Sequence, residues 1–302
     1  MKDTRTLLST AAGVVDVSSP IVVGVVNATP DSFSDTGDRS TAGAIRTVHS
    51  HLEDGARIIE VGGESNVTNR PAVSAAEEIS RVTPVVEAAV AAGATVSIDT
   101  YKPEVAEAAL SAGAAIVNDI SGSDRREMLA VCASHGAAMV VMHTEVAPKS
   151  QRWDEDLYPD GVLARQIEFF TERMASLAAA GIGPDKVVLD PGPDFGKTPR
   201  QTVDSLRGLP EICSLGCPVM LAVSRKDFIG AITHRPPSQR AAGTFAALAA
   251  GLDMGARVLR VHDVRGTVDF LEVRAALAGE EEVPPGLRIA EEIRREAPSD
   301  GA

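Results

Sequence analysis

The chain has 302 residues, of which 44% are hydrophobic, 24% charged and 3% aromatic, so its core must be built from Val, Ile, Leu and Ala, as in a buried parallel sheet. A formal net charge of −13 repels nucleic acid and anionic lipid, so neither is an expected partner, and an anionic substrate needs a local cluster of cations and backbone N–H groups. No apolar run approaches the ~20 residues of a membrane span, the opening MKDTRTLLSTAAG lacks a signal-peptide core, and the sparse set Cys132, Cys213 and Cys217 suits neither a disulfide framework nor zinc, which together point to a reducing cytoplasm.

After an N-terminal extension over 1–19, aliphatic runs predict strands at 21–27, 58–63, 95–100, 115–120, 138–144, 187–192, 219–224 and 258–263. Amphipathic stretches between them predict helices, for example over 42–56, 74–93, 103–113 and 165–181, and several end at Gly, the usual residue just past a helix C-terminus. Eight strand–helix units in strict alternation imply a parallel sheet, and eight strands close a (β/α)8 TIM barrel of about 250 residues. The barrel is placed at 20–279, and a charged tail, with a candidate short helix at 287–296, at 280–302. A doubly wound open sheet is the competing fold, but no G-x-G-x-x-G follows the first strand, where a nucleotide fingerprint would stand. Long loops at 28–41, 64–73 and 145–160 are expected on the C-terminal face of the strands as mobile lids.

Polar residues interrupt the aliphatic runs at one relative place: Asn27, Asp99, Asn118 with Asp119, His143, Asp190, then Ser224-Arg225-Lys226, then Arg260 and His262. All lie at C-terminal strand ends, which in a barrel share one mouth, where the chemistry sits. Arg260 and His262 are two apart and so share a face; turned inward they offer a fork and a ring to an anion, although Arg260 pairing with Asp190 or Asp99 is the competing structural use. Asp99 and Asp190 are costly to bury without donors. A heterocycle with an amino group beside a ring N–H supplies such donors, Asn118 both donates and accepts, and Lys226 donates. The set matches the edge of a pterin ring.

At these residues the sequence resembles the dihydropteroate synthase family. VGVVNATPDSFSDTG (23–37) and IIEVGGES (58–65) resemble its two signatures, and SIDTYKPEVAEAAL, IVNDISG, VVLDPGPDFGKT, AVSRKDFIG and VLRVHDV follow in family order, from about residue 20 to about 278. The resemblance implies a transferase that joins p-aminobenzoate to 6-hydroxymethyl-7,8-dihydropterin pyrophosphate and releases pyrophosphate, in folate biosynthesis. By match, Asp99, Asn118, Asp190 and Lys226 hold the pterin, and Asn27, Arg260 and His262 hold the pyrophosphate, with Asn27 also on Mg2+. Asp99, Lys226 and Asp35 carry the catalytic roles, Phe33 and Asp35 riding on a closing loop; Phe33, Asn66, Thr68, Arg70, Phe195 and Asp227 fall on the acceptor side. The family also implies a homodimer through the late helices, where 241–250 offers a small-residue apolar stretch.

Four departures from the family pattern are visible. The second signature runs on as GGESNVTNRP, Asp227 stands where a Ser is usual, Glu60 where an Asp is usual, and Asp194 adds an acid beside Phe195 and Lys197. Asp227 would repel an acceptor carboxylate, at roughly 1–4 kcal/mol for like charges about 4 Å apart. Two readings therefore stand side by side: an ordinary synthase in which a cation such as Arg225 or Arg70 shields Asp227, or a paralogue that keeps the pterin half and uses another acceptor amine, or none. A pterin-dependent methyltransferase and a non-catalytic pterin binder are further alternatives; the retained Arg260 and His262 argue against both.

Overall fold

The structure is a computed structural model that describes residues 6–29, 40–65, 71–123, 125–150, 154–290 and 293–295. It opens with an antiparallel hairpin, β1 (Leu7–Thr10) and β2 (Gly13–Asp16). Eight parallel strands follow: β3 (Ile21–Asn27), β4 (Ile58–Gly62), β5 (Thr95–Asp99), β6 (Ile116–Asp119), β7 (Ala138–Met142), β8 (Val187–Asp190), β9 (Met220–Leu221) and β10 (Val258–Val261). Consecutive strands pair from β3 to β8, β10 pairs with both β3 and β9, and a parallel bridge between Leu189 and Val219 joins β8 to β9. The circuit is therefore complete, and the fold is a TIM barrel rather than an open sheet.

The outer ring comprises α1 (Thr41–Glu53), α2 (Ala75–Ala91), α3 (Pro103–Ser111), α4 (Arg126–His135), α5 (Val162–Ala179), α6 (Pro199–Arg207), α7 (Leu209–Cys213), α8 (Asp227–Thr233), α9 (Ala241–Asp253) and α10 (Val264–Ala278). Local chemistry sets their ends. Ser40 and Ser74 accept from the N–H of Gly43 and Glu77, and Thr198 with Gln201 forms a capping box on α6, each satisfying donors that the first turn leaves unpaired. Gly136 and Gly279 close α4 and α10 in the left-handed conformation, which glycine adopts without a Cβ clash.

Alternation along each strand sorts two cores. Val22, Ile59, Val96, Ile98, Val117, Met139, Leu189 and Leu259 point outward and pack on the helices. Ile21, Val23, Ile58, Ile116, Ala138, Val140, Val188, Met220 and Val258 point inward, and Leu8, Val15 and Val17 of the N-terminal segment join that inner cluster. Because successive residues face opposite ways, the same inward rows run on toward the C-terminal ends as Glu60, Ser97, Asp99, Asn118, Asp190 and Arg260.

Two expectations change. The strand expected at 219–224 pairs only over Met220–Leu221, because the chain then turns, with the Lys226 N–H donating to the Val223 carbonyl at 3.3 Å. Residues 287–290 of the candidate tail helix have no regular structure.

Candidate active site at the barrel mouth

The strand register brings the predicted residues together. Asn27 lies opposite Gly62, Gly62 opposite Asp99, Asp99 opposite Asn118, and Asp190 opposite Met142. At the centre sits Glu60, fully buried. It accepts from Arg260 Nε, from Asn118 Nδ2 at 3.0 Å and from Ser97 Oγ at 3.3 Å. Arg260 Nη2 also donates to Asp99 at 2.8 Å. The structural use weighed for Arg260 is thus realised with Asp99, not with Asp190. Two of its five donors are spent on described residues, so the outer edge of the fork can meet an anion.

Burial leaves two acceptors for a ligand's donors. The Asn118 Oδ1 atom is buried and has no hydrogen-bond partner among the described residues. Asp190 is 2% exposed; one oxygen accepts from the Gly192 N–H at 2.8 Å. Burial raises its pKa above the usual carboxylate value, against the opposing pull of that N–H, Lys226, Arg260 and Lys197. Lys226 stands at the N-terminus of α8 with Nζ 4.3 Å from the centre of the Phe195 ring. Burial lowers its pKa, while Asp194 and Asp190 oppose the change. His262 is driven down to about 3 by burial and by the charges of Arg260, Arg225 and Lys226, so the ring is neutral at physiological pH. Its Nδ1 lies 3.0 Å from Ser224 Oγ, which also accepts the His262 backbone N–H at 3.4 Å. We assign the Ser224 hydroxyl as donor to Nδ1, which leaves Nε2–H to donate.

Two polar strand ends turn away from this site. His143 follows inward-facing Met142 and therefore faces the helices, fully buried, its ring 4.9 Å from that of Phe169. Asp119 likewise faces outward, accepting from the Ser121 N–H and Oγ.

The side expected to face the acceptor is built by the loop after β8 and the starts of α8 and α9. Asp227 is paired with Arg240, whose Nη1 donates to Oδ1 at 2.7 Å and to the Arg225 carbonyl at 2.8 Å. Arg240 lies flat against α8 because residue 230 is glycine: a Cβ there would fall 2.3 Å from Nη2. Among the described residues the shield expected from Arg225 or Arg70 comes instead from a third arginine, Arg240, while Arg70 lies outside them. Asp194 accepts from the Asp227 N–H at 2.6 Å and the Phe228 N–H at 3.2 Å, so this added acid caps α8. Lys197, 1% exposed, donates to the carbonyls of His143, Gly192 and Phe195; burial lowers its pKa to about 7. Phe33, Asp35, Asn66, Thr68 and Arg70 lie outside the described residues.

Residues 23–262 match the family model described as pterin binding enzyme. The chain belongs to that family. A dihydropteroate synthase from Synechocystis sp. is 39% identical over 260 residues, covering 85% of this chain and 89% of that protein. The Xanthomonas albilineans dihydropteroate synthase with 4-aminobenzoic acid superposes with a TM-score of 0.83 at 38% identity, covering 93% of this chain and 100% of the other. The same enzyme in complex with 7,8-dihydropteroate gives 0.78 at 35% identity, covering 92% and 100%.

Within this pterin-binding fold, sequence reasoning underrated Glu60, whose inward position in an aliphatic strand was readable from its spacing to Ile58 and Gly62. It missed Arg240 altogether, since nothing local ties residue 240 to residue 227. A magnesium ion fits the donor set in one way only. No group of three or more His, Cys, Asp or Glu suited to a metal occurs among the described residues, but Mg2+ commonly takes one or two protein oxygens and fills its shell with water and substrate phosphates. The half-buried Asn27 at the end of β3 offers such an oxygen.

Proposed function

We propose that this chain is a dihydropteroate synthase: it joins p-aminobenzoate to 6-hydroxymethyl-7,8-dihydropterin pyrophosphate and releases pyrophosphate. The observation that carries this reading is the buried, unpartnered Asn118 Oδ1 on the same inward face as Asp99 and Asp190, a set of acceptors matched to the amino and ring N–H groups of a pterin. Lys226 Nζ, which makes no hydrogen bond to a described residue, supplies the complementary donor.

The residues then act as follows. Asn118, Asp190 and Lys226 fix the ring so that its CH2 group faces the mouth, which converts a bimolecular encounter into an oriented one. The C–O bond to pyrophosphate breaks with its electron pair leaving on oxygen, and positive charge develops on the pterin beside Asp99, a preorganised electrostatic contribution of about 3 kcal/mol at most. The free edge of Arg260 and the neutral His262 Nε2–H hold the departing anion. The amine nitrogen then forms the new bond to CH2 and loses a proton. Asn27 would share the Mg2+, which when bound neutralises charge on the pyrophosphate. Arg240 masks the charge of Asp227 at the rim, which favours the carboxylated amine over a different acceptor. By match to the family pattern, Phe33 and Asp35 are the residues assigned to closure over the reactants, and Asn66, Thr68, Arg70 and Phe195 those assigned to the amine.

The chain would work as a homodimer through α9 and α10, where Phe245 stacks on Phe270 and Val273 and Leu277 are exposed, in the cytoplasm; no helix among the described residues is long and apolar enough to cross a membrane. Residues 20–279 form the catalytic unit, with 1–19 and 280–302 as its extensions.

The test is incubation of the pure protein with the pterin pyrophosphate, Mg2+ and p-aminobenzoate, following pyrophosphate and dihydropteroate together. Equal amounts of both products are expected. Pterin binding without dihydropteroate would overturn the proposal.

A further inference from the structure

Asp194 departs from the family pattern, and its surroundings give it a task. The residue sits at φ 66°, a left-handed conformation uncommon outside glycine, Asn and Asp. Its backbone N–H donates to Thr202 Oγ1 on α6 at 3.2 Å. Its carboxylate receives the Asp227 and Phe228 N–H groups at the start of α8. It therefore ties the loop after β8 to the first turn of α8, whose N-cap is Lys226. The next residue along the loop is Phe195, the ring under Lys226 Nζ. One side chain thus sets the spacing of the two groups that form this wall of the mouth.

We propose that Asp194 is a positioning residue, holding Lys226 and Phe195 in register and keeping a negative charge beside the Lys226 ammonium. The inference rests on the synthase reading for its kinetic consequence, but its geometric part concerns pterin binding alone. Titratable groups on several elements face Lys226: Asp190 on β8, Asp194 on the following loop, Arg260 on β10 with the neutral His262 just after it, Asp227 on α8, Arg225 just before α8, and Lys197 behind the loop. The two loop- and strand-borne acids oppose Arg260 and the dry surroundings, both of which favour a neutral amine. Neutralising Asp194 removes the first of these acids, so Lys226 should lose its proton at lower pH.

The experiment compares Asp194→Asn with the unaltered protein. Asn keeps the shape, the left-handed backbone and one oxygen for the helix N–H groups, and loses the charge. Pterin affinity is measured by direct titration between pH 6 and 10, alongside the pH profile of kcat/KM. The expected result is an alkaline limb moved down by about one pH unit, the lower end of what a nearby opposite charge contributes, with pterin affinity about ten-fold weaker above it and little change at pH 6. Asp194→Glu, which keeps the charge, should leave the limb near its original place even where it costs stability. An unmoved limb in Asp194→Asn, whether or not the melting temperature falls, would reduce Asp194 to a helix cap and overturn the proposal. Because titration needs no turnover, it reads out Asp194 even if the unaltered protein makes no dihydropteroate, a result that would sink the synthase reading separately.

Discussion

The two halves of the mouth are made differently. The half proposed for the pterin stands on strands: Glu60, Asp99, Asn118, Asp190 and Arg260 come from β4, β5, β6, β8 and β10, and all are buried or nearly so. The half proposed for the acceptor stands on the loop after β8 and on the starts of α8 and α9, where Asp194, Phe195, Asp227 and Arg240 are held by caps and a pair open to water, with the Asp227 side chain 69% exposed. A strand position fixes a side chain's direction through hydrogen bonds on both sides. A loop position depends on whichever partner the fold happens to bring near. The deep half can therefore carry ionic groups whose loss is severe, while the rim can change residues and compensate nearby.

The contrast predicts a graded series of effects. Arg260→Met should be worst, since it removes the cation that Glu60 and Asp99 share; removing one member of a buried pair costs about 3–5 kcal/mol, read by denaturant unfolding, and a loss below about 1 kcal/mol would mean water already screens the cluster. Asp190→Asn should weaken pterin binding and kcat/KM by about 10²-fold, the scale of a lost preorganised charge; a change under three-fold would place the ring elsewhere. A pH test comes next. His262 titrates near 3 in the folded chain against about 6.5 unfolded, so below 6.5 the unfolded state takes up the proton first. Stability should be full above that pH and fall toward 3, by about 1.4 kcal/mol per unit for this group. His262→Asn should show a shallower slope between pH 4 and 6, and identical slopes would show the ring to be hydrated and protonated. The smallest effect belongs to the rim: Arg240→Met should raise the KM for p-aminobenzoate about two- to five-fold, the range of an exposed ion pair, and leave the KM for the pterin alone. An equal rise in both would mean that Arg240 acts through the fold.

The same division decides what the sequence could reveal. Their shared place at C-terminal strand ends pointed Asp99, Asn118, Asp190 and Arg260 to one mouth, period-two spacing put Arg260 and His262 on one face, and the number of strand–helix units set the barrel. Even the competing use of Arg260 was legible, because a buried carboxylate and a buried guanidinium on one face have little else to do than meet. Glu60 was visible as a residue but taken as a variant spelling; that it holds Arg260, Asn118 and Ser97 together follows only from adjacent strands in register. His143 misled because strand ends are polar for two reasons, and one residue's shift in phase turns a ring from the mouth to the helices. Asp227 misled because its charge was counted without Arg240, which approaches from the start of α9 over Gly230. No local pattern encodes that approach.

The N-terminal hairpin closes the other end of the barrel, with Leu8, Val15 and Val17 sealed against the innermost strand residues. A vessel stoppered at its base has one doorway. In the proposed reading the ring held deepest enters first, the amine at the rim follows, and whatever is made inside backs out along the path its parts came in by. Depth alone thus imposes an order of arrival and departure, without a gate or a signal to enforce it.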